Sequence, residues 1–353
     1  MPKRGKNLAN EIVSWENLTD ALRLTMRGKR GFYAAQKYYS EREHNLLNLQ
    51  EKLISGRWHP HKYRQFEVFE PKRRIIHAPS FEDRIVHHAL VNVTGPYFER
   101  RFIDHSYACR VRKGTHAASL HLWHMLKSAD FKFGDHVYVL KADISKYFDS
   151  INHDILYSLV NRVIADPLAL QLYERLIYEG PAHGTGMPLG CLTSQMLANL
   201  YLDPLDHWLC DYLGMHYYIR YMDDFVLLHN DKIKLRKIWN MIRDFLGSRL
   251  RLTLNRKTSL FPASRGVDFA GYRHWTTHLL PRHRNMIRAS RRFAWVSKAF
   301  HRGDIEYDKA RSIVSSFLGY AHHCKSARTT ERVLENFVLI PPPFSIAYTV
   351  PVL

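Results

Sequence analysis

No two of the four cysteines (Cys109, Cys191, Cys210, Cys324) form a CxxC pair, and they lie far apart. That argues against a zinc ribbon or a disulfide scaffold and fits a reducing compartment. His322, His323 and Cys324 are adjacent, and His274 and His278 are spaced for a helical face, but no second Cys/His cluster accompanies them. They read as exposed or nucleic-acid-facing histidines rather than zinc ligands. No stretch is long and apolar enough to span a bilayer. The N-terminus, MPKRGKNLANEIVSW, has no apolar core of signal-peptide length. A soluble, cytoplasmic protein without membrane contact is the expectation. Internal repeats and low-complexity linkers are also missing, which leaves an ordinary globular chain, 46% hydrophobic. Acidic residues are the scarcest relative to need: 33 Asp+Glu face 52 Lys+Arg, a net charge of +19 over 353 residues. The excess is spread along the chain, so the expected polyanionic partner is nucleic acid rather than a membrane surface.

What is present organises into alternating patterns. Residues 1–60 read as helical. In SEREHNLLNLQEKLISG, Ser40 and Glu43 have capping-box spacing, Leu46, Leu49 and Leu53 share a face, and Gly56 can end the helix. YRQFEVFEPKRRIIHAP reads as strands broken by prolines, and residues 81–130 as helices interrupted by CRVRKGTH. Val137 to Leu140 reads as a buried strand. Asn152 is the expected cap of a helix lined by Ile155, Leu156, Leu159, Val160, Val163 and Ile164. CLTSQMLANLYL starts another helix, which Pro204 is expected to bend or end. YIRYMDDFVLLHN reads as a hairpin, LRLTLNRKTSLF and GVDFAGYRHW as further strands, and the chain from about 283 as helical. The order predicts an α+β fold with an antiparallel sheet.

Asp223 and Asp224 alone are compatible with a polar hairpin tip. Asp143, just past the strand at Val137–Leu140, changes that. If the two segments share a sheet, Asp143 and Asp223 lie side by side though 80 residues apart. Carboxylate oxygens are hard ligands suited to Mg²⁺. Two such ions ~4 Å apart can activate an attacking hydroxyl and neutralise a leaving pyrophosphate.

YMDDF in a hairpin, preceded by LKADISKYFDSI and a Gly-rich turn into a helix, resembles the reverse transcriptases. The resemblance runs from about residue 60 to 330. RRIIHAPSFEDRIVHHAL looks like the fingers, SYACRVRKGTHAA like the fingers motif that contacts template, GVDFAGY like the primer grip, and SFLGYAHHCKS like the thumb of group II intron-like enzymes. It implies a right-hand polymerase fold with fingers, palm (antiparallel sheet plus helices) and helical thumb. The corresponding division is 1–60 helical extension, 61–136 fingers, 137–275 palm with some fingers elements interleaved, 276–340 thumb and 341–353 tail. It implies catalytic Asp143, Asp223 and Asp224, with Mg²⁺ (two ions, Mn²⁺ as a substitute) on these residues and the Ile144 carbonyl. Phe148 would exclude a 2′-hydroxyl and so select dNTPs; core packing is its other reading. Lys72 and Arg74 alternate to one face of a strand and Arg73 to the other, and Arg74 matches the triphosphate-gripping position. A solvated edge strand is the other reading. Lys257 matches a lysine near pyrophosphate, a solvated charge being its alternative. Arg112 and Lys113 would contact template. Arg284, Arg288, Arg291 and Arg292 share one helix side, beside Ala289, Phe293, Val296 and Phe300, and would track an RNA–DNA hybrid.

In GMPLGCLTSQMLANLYLDPLD, Leu189 stands where group II intron enzymes have Gln in their QGxxxSP pattern, and Gln195 stands in place of the Pro. This LGxxxSQ form resembles reverse transcriptases of diversity-generating retroelements, bacterial or phage-encoded, which copy a template-repeat RNA and misincorporate opposite adenines. The resemblance implies a small, basic, oligomeric accessory protein and a structured template RNA as partners. Leu cannot make the hydrogen bonds of Gln, so Leu189, Gln195 and Arg74 are expected to set fidelity. Retron, group II intron-like and phage-defence reverse transcriptases are alternatives, as is an inactive RNA-binding relative.

Overall fold

The computed structural model describes residues 3–69, 73–134, 136–335 and 337–341. It begins with four helices, α1 (Ala9–Ile12), α2 (Trp15–Met26), α3 (Tyr33–Ser40) and α4 (Arg42–Ile54). A hairpin comes next, β1 (Arg64–Val68) and β2 (Arg74–Ala78), then α5 (Phe81–Glu99) and α6 (Thr115–Phe133). The central stretch holds β3 (Tyr138–Asp143), a single turn α7 (Tyr147–Ser150), α8 (His153–Val163), α9 (Pro167–Tyr178) and α10 (Leu192–His207). Beyond it lie β4 (Tyr218–Tyr221), β5 (Asp224–His229), α11 (Lys232–Leu250) and β6 (Ser259–Pro262). The chain closes with β7 (Val267–Phe269), β8 (Tyr272–His274), β9 (Leu279–Pro281), α12 (His283–His301), α13 (Tyr307–Ala321) and α14 (Ala327–Leu334).

These elements form two compact units, each built from two stretches of chain. The first holds residues 1–114 and 140–260; the second holds 115–139 and 261–353. In the first, β4-β5-β3-β6 is the strand order of the main sheet, with β4 and β5 antiparallel. β5 is buried from Phe225 to Leu228, and α10 is buried along nearly its whole length, so the sheet and this helix make the core. In the second, β7-β8-β9 form a small antiparallel sheet. There the helix at 115–133, expected with the fingers, lies in the same unit as this sheet: Ser119 Oγ meets His274 Nε2 at 2.9 Å.

Local physics explains the element ends. The Asn152 side chain accepts from the Ile155 amide, as expected, and Leu156, Leu159, Val160 and Val163 are buried. The Ser40–Glu43 capping box does not form: the Ser40 hydroxyl donates to the Lys37 carbonyl and closes the preceding helix, α3. Leu46, Leu49 and Leu53 do form the buried face, and Gly56 (φ +64°) takes the left-handed turn beyond it. Pro204 lies inside α10 without ending it, and a π-helical turn, Trp208–Tyr212, succeeds it. His274 is no helical-face residue: it is buried on β8, bonded to Ser119 and the Val267 carbonyl, while His278 stacks on Trp275 beyond the strand. Among the described residues no helix is long and apolar enough to cross a membrane.

Candidate active site

Asp143 is the last residue of β3, and β3 lies beside β5 in the sheet. Tyr221 and Asp224 are the last pair of the β4–β5 hairpin, so Met222 and Asp223 alone make the turn. Two-residue turns need positive φ, normally supplied by Gly or Asn. Here Met222 takes it, at φ +56°, at a steric cost on the order of 1 kcal/mol for a residue with a Cβ. The turn sets the Asp223 carboxyl beside the end of β3, close enough for the Asp143 charge to act on it. Burial first, then the Asp143 charge, with a smaller part from Asp224, push the Asp223 carboxyl up to about 6.

Two carboxylates side by side repel when ionised, and a divalent cation on their oxygens would relieve that repulsion. The donor set fits Mg²⁺ or Mn²⁺, both oxygen-seeking ions. Among the described residues no group of three or more His, Cys, Asp or Glu side chains is arranged to hold a metal, and Asp143 and Asp223 are the side chains here that could do so. Ile144, expected to add its carbonyl, is buried and bridges Leu254. That bridge uses the Asp143 carbonyl, from the Asn255 amide at 2.7 Å, and the Ser145 amide, to Thr253 O at 2.9 Å, not the groups of Ile144.

Asp224, expected alongside them as a ligand, is engaged differently. Both of its oxygens accept from Lys141 Nζ, at 2.5 and 2.7 Å. Arg220 on β4 is fully buried, and its guanidinium reaches the carboxylate of buried Asp206 on α10 and the carbonyl of Met222. Neither Lys141, Arg220 nor Asp206 stands out by periodicity or motif. The available signal was an arginine inside the otherwise apolar strand YIRY.

Of the other expected nucleotide-pocket residues, Arg74, Phe148, Leu189 and Gln195 lie on segments that meet near the start of α10. In the β1–β2 register Val68 faces Arg74 and Phe66 faces Ile76, so Arg74 and Ile76 share one face. Arg73 lies on the other and pairs with Glu67, Nε to Oε2 at 3.0 Å. Lys72 lies outside the described residues. A Cβ built at Gly190 (φ +100°) would sit 3.4 Å from Cγ2 of Ile76, so the Arg74 face of the hairpin meets the Leu189–Gly190 turn. Leu189 and Gln195 are half-buried there. Beneath them the α10 start is tied to α5: His87 Nδ1 meets Thr193 Oγ1 at 2.7 Å, and burial pushes His87 down to about 4. Phe148 is half-buried on α7, packed edge-on against Tyr147, and its carbonyl accepts from the Met187 amide two residues before Leu189.

The expected basic contacts divide. Lys257 is exposed in the turn whose Asn255 amide holds the Asp143 carbonyl. Arg112 is exposed at φ +60°. Lys113 is held by Asp104, Nζ to Oδ1 at 2.7 Å, beside the Tyr107 ring. On α12, in the second unit, Arg284, Arg288, Arg291 and Arg292 are all exposed, and Phe293 and Val296 are buried. Trp295, 51% exposed, falls four residues after Arg291 on the same side and adds a stacking surface that the arginine spacing alone does not reveal.

The family model "Reverse transcriptase (RNA-dependent DNA polymerase)" matches residues 65–274, more than half the chain and all of the carboxylates. The chain belongs to the reverse transcriptase family. Protein YkfC of Escherichia coli is 28% identical over 65% of this reverse transcriptase and 70% of its own length. The group II intron-encoded protein LtrA of Lactococcus lactis is 28% identical over 46% of this chain, which spans only 28% of LtrA. Among solved structures, a truncated apo telomerase from Candida tropicalis shares the fold with TM-score 0.50 at 14% identity, over 62% of this chain and 54% of that one.

Proposed function

We propose that the protein is an RNA-directed DNA polymerase that copies a structured template RNA into error-prone cDNA for a diversity-generating retroelement. The observation that carries the polymerase reading is Asp143, at the end of β3, beside Asp223 in the turn of the neighbouring β4–β5 hairpin, within a reverse transcriptase domain. Asp143 and Asp223 would hold Mg²⁺, which when bound acidifies the primer hydroxyl and neutralises phosphate charge. The Lys141 ammonium keeps Asp224 from adding its full charge to that pair. Arg74 and Lys257 would contact the triphosphate of an incoming dNTP, and Phe148 the sugar. Arg112, Lys113 and the α12 arginines would follow the template and the RNA–DNA hybrid.

The subtype rests on LGxxxSQ: Leu189 precedes Gly190, which Ile76 on the Arg74 face of the hairpin approaches, and Gln195 follows in the first turn of α10. A polar group missing there removes one check on base-pair geometry. The similarity to LtrA supports a second reading, a group II intron-like enzyme that copies RNA without diversification. Primer extension on RNA with Mg²⁺, wild type against Asp223→Ala, tests the polymerase reading; equal silence of both proteins overturns it. Sequencing the cDNA from wild type and Leu189→Gln tests the subtype. Adenine-directed errors that fall in the variant support it, and accurate wild-type copying favours the second reading. A small basic oligomeric accessory protein would then be needed only for the first.

A further inference from the structure

Arg220 is the largest charged side chain fully withdrawn from solvent, and it lies two residues before the catalytic turn. All of its nitrogens are used in different directions. Nε donates to both Asp206 oxygens, at 2.8 and 3.0 Å, and Nη2 donates to Asp206 and to the Asn199 carbonyl. Nη1 donates to Asn199 Oδ1 and to the carbonyl of Met222, each at 3.1 Å. Tyr218 donates to the same Asp206 oxygen as Nε, at 2.6 Å, and Asn199 Nδ2 reaches the Ala108 carbonyl at 2.8 Å. The Arg220 backbone pairs with the 105–107 segment, its amide to His105 O at 2.9 Å and its carbonyl from the Tyr107 amide at 3.0 Å.

A buried ion pair of this kind is a poor way to gain stability, since apolar residues of equal volume often do as well or better. Its value lies in what it orients. The Met222 peptide is the one in the left-handed conformation, and nothing in a methionine side chain favours it there. Its carbonyl is fixed by a guanidinium that is itself fixed to α10 at two residues. The Met222 carbonyl carbon is bonded to the Asp223 nitrogen, so holding that carbonyl sets the direction in which the Asp223 side chain leaves the turn.

We propose that Arg220 is a positioning residue that, with Asp206 and Asn199, braces the turn so that Asp223 faces Asp143 in metal-binding geometry. This rests on the polymerase reading for its catalytic consequence but not for its metal consequence. Lysine keeps the charge, but its donors all leave one nitrogen and cannot reproduce the planar fork whose three nitrogens reach Asp206, Asn199 and Met222.

The test uses the full chain. Binding of Mn²⁺ alone is followed by the paramagnetic signal of the free ion, together with melting temperature, primer–template Kd and kcat. Arg220→Lys is expected to weaken Mn²⁺ binding at least 5-fold and lower kcat at least 10-fold, with primer–template Kd within 2-fold of wild type. Wild-type Mn²⁺ affinity in that variant overturns the proposal. Should the lysine variant fail to fold, the double replacement Arg220→Met with Asp206→Leu removes both charges. Restored folding with weak Mn²⁺ binding supports positioning, whereas restored folding with wild-type Mn²⁺ binding shows a structural role only and overturns it. An inactive wild type that still binds Mn²⁺ through Asp223, lost in Asp223→Ala, would fail the polymerase reading and leave this one standing.

Discussion

Replacing Asp223 with Asn should make the metal-free protein more stable while abolishing its chemistry. The carboxyl titrates near 3.8 in an unfolded chain and at about 6 in the fold, raised by burial and by Asp143. The protonated form is the one the fold favours, so the stability linked to it is fully present below 3.8 and lost as pH rises through 6. At pH 7.5 the folded, metal-free protein therefore carries an ionised Asp223 in a site that disfavours its charge. At about 1.4 kcal/mol per tenfold change in proton affinity the cost is about 3 kcal/mol, and partial solvent access reduces it to about 2. Asparagine keeps the shape without the charge. In EDTA at pH 7.5 the variant should melt about 4 °C above wild type, on the usual scaling for large domains. At pH 4 the advantage should vanish. Mg²⁺ should raise the wild-type melting temperature at pH 7.5 and leave the variant nearly unmoved, because a cation relieves the same repulsion. A variant that melts at or below wild type in EDTA, or one whose advantage is the same at pH 4, refutes the reasoning.

Lys141→Met should return the charge of Asp224 to the pair, raise the Asp223 pKa further and shift the acid limb of the pH–rate profile upward; an unmoved limb shows that the 2.5 Å contact does not tune the site. His87 and His274 are both held near 4 by burial, so they contribute stability that is full above about 6.5 and lost as pH falls toward 4. Metal-free acid titration of His87→Gln and His274→Gln should show a shallower loss over that window than wild type, with Asp223 acting in the opposite direction in all three proteins. Gly190→Ala should cost about 1–3 kcal/mol in denaturant melts, because φ +100° strains any residue with a Cβ, and should raise the KM for dNTP more than it lowers primer–template affinity.

Patterns with short periods were legible in the sequence. The helical faces at Leu46–Leu53 and Leu156–Val163 and the split of Arg73 from Arg74 arise from periods of 3.6 and 2, and the structure places these side chains accordingly. Asp143 beside Asp223 required only that two apolar strands share a sheet. What escaped were pairs with no period at all. Arg220 and Asp206 are 14 residues apart, Lys141 and Asp224 83, and His87 and Thr193 106, and each charged or polar residue would by itself be read as solvated. The capping box failed because Ser40 is the last residue of α3, and α4 starts only at Arg42 with Glu41 at its cap, so Ser40 Oγ is out of position to accept from the Glu43 amide. The helical spacing of His274 and His278 misleads because strands of three residues are too short to show alternation.

The threading of the two compact units has a practical consequence. Residues 115–139 are spelled out before the 140–260 stretch that completes the first unit, yet they belong with the stretch beyond residue 260. On the ribosome the first half of the first unit waits for its second half while a helix of the other unit emerges between them. A single cut therefore cannot separate the two: a chain ended after residue 260 strands Ser119 without His274. Engineering one unit alone would take an excision and a religation, and swapping the terminal helices between relatives would have to carry the 115–139 segment with them.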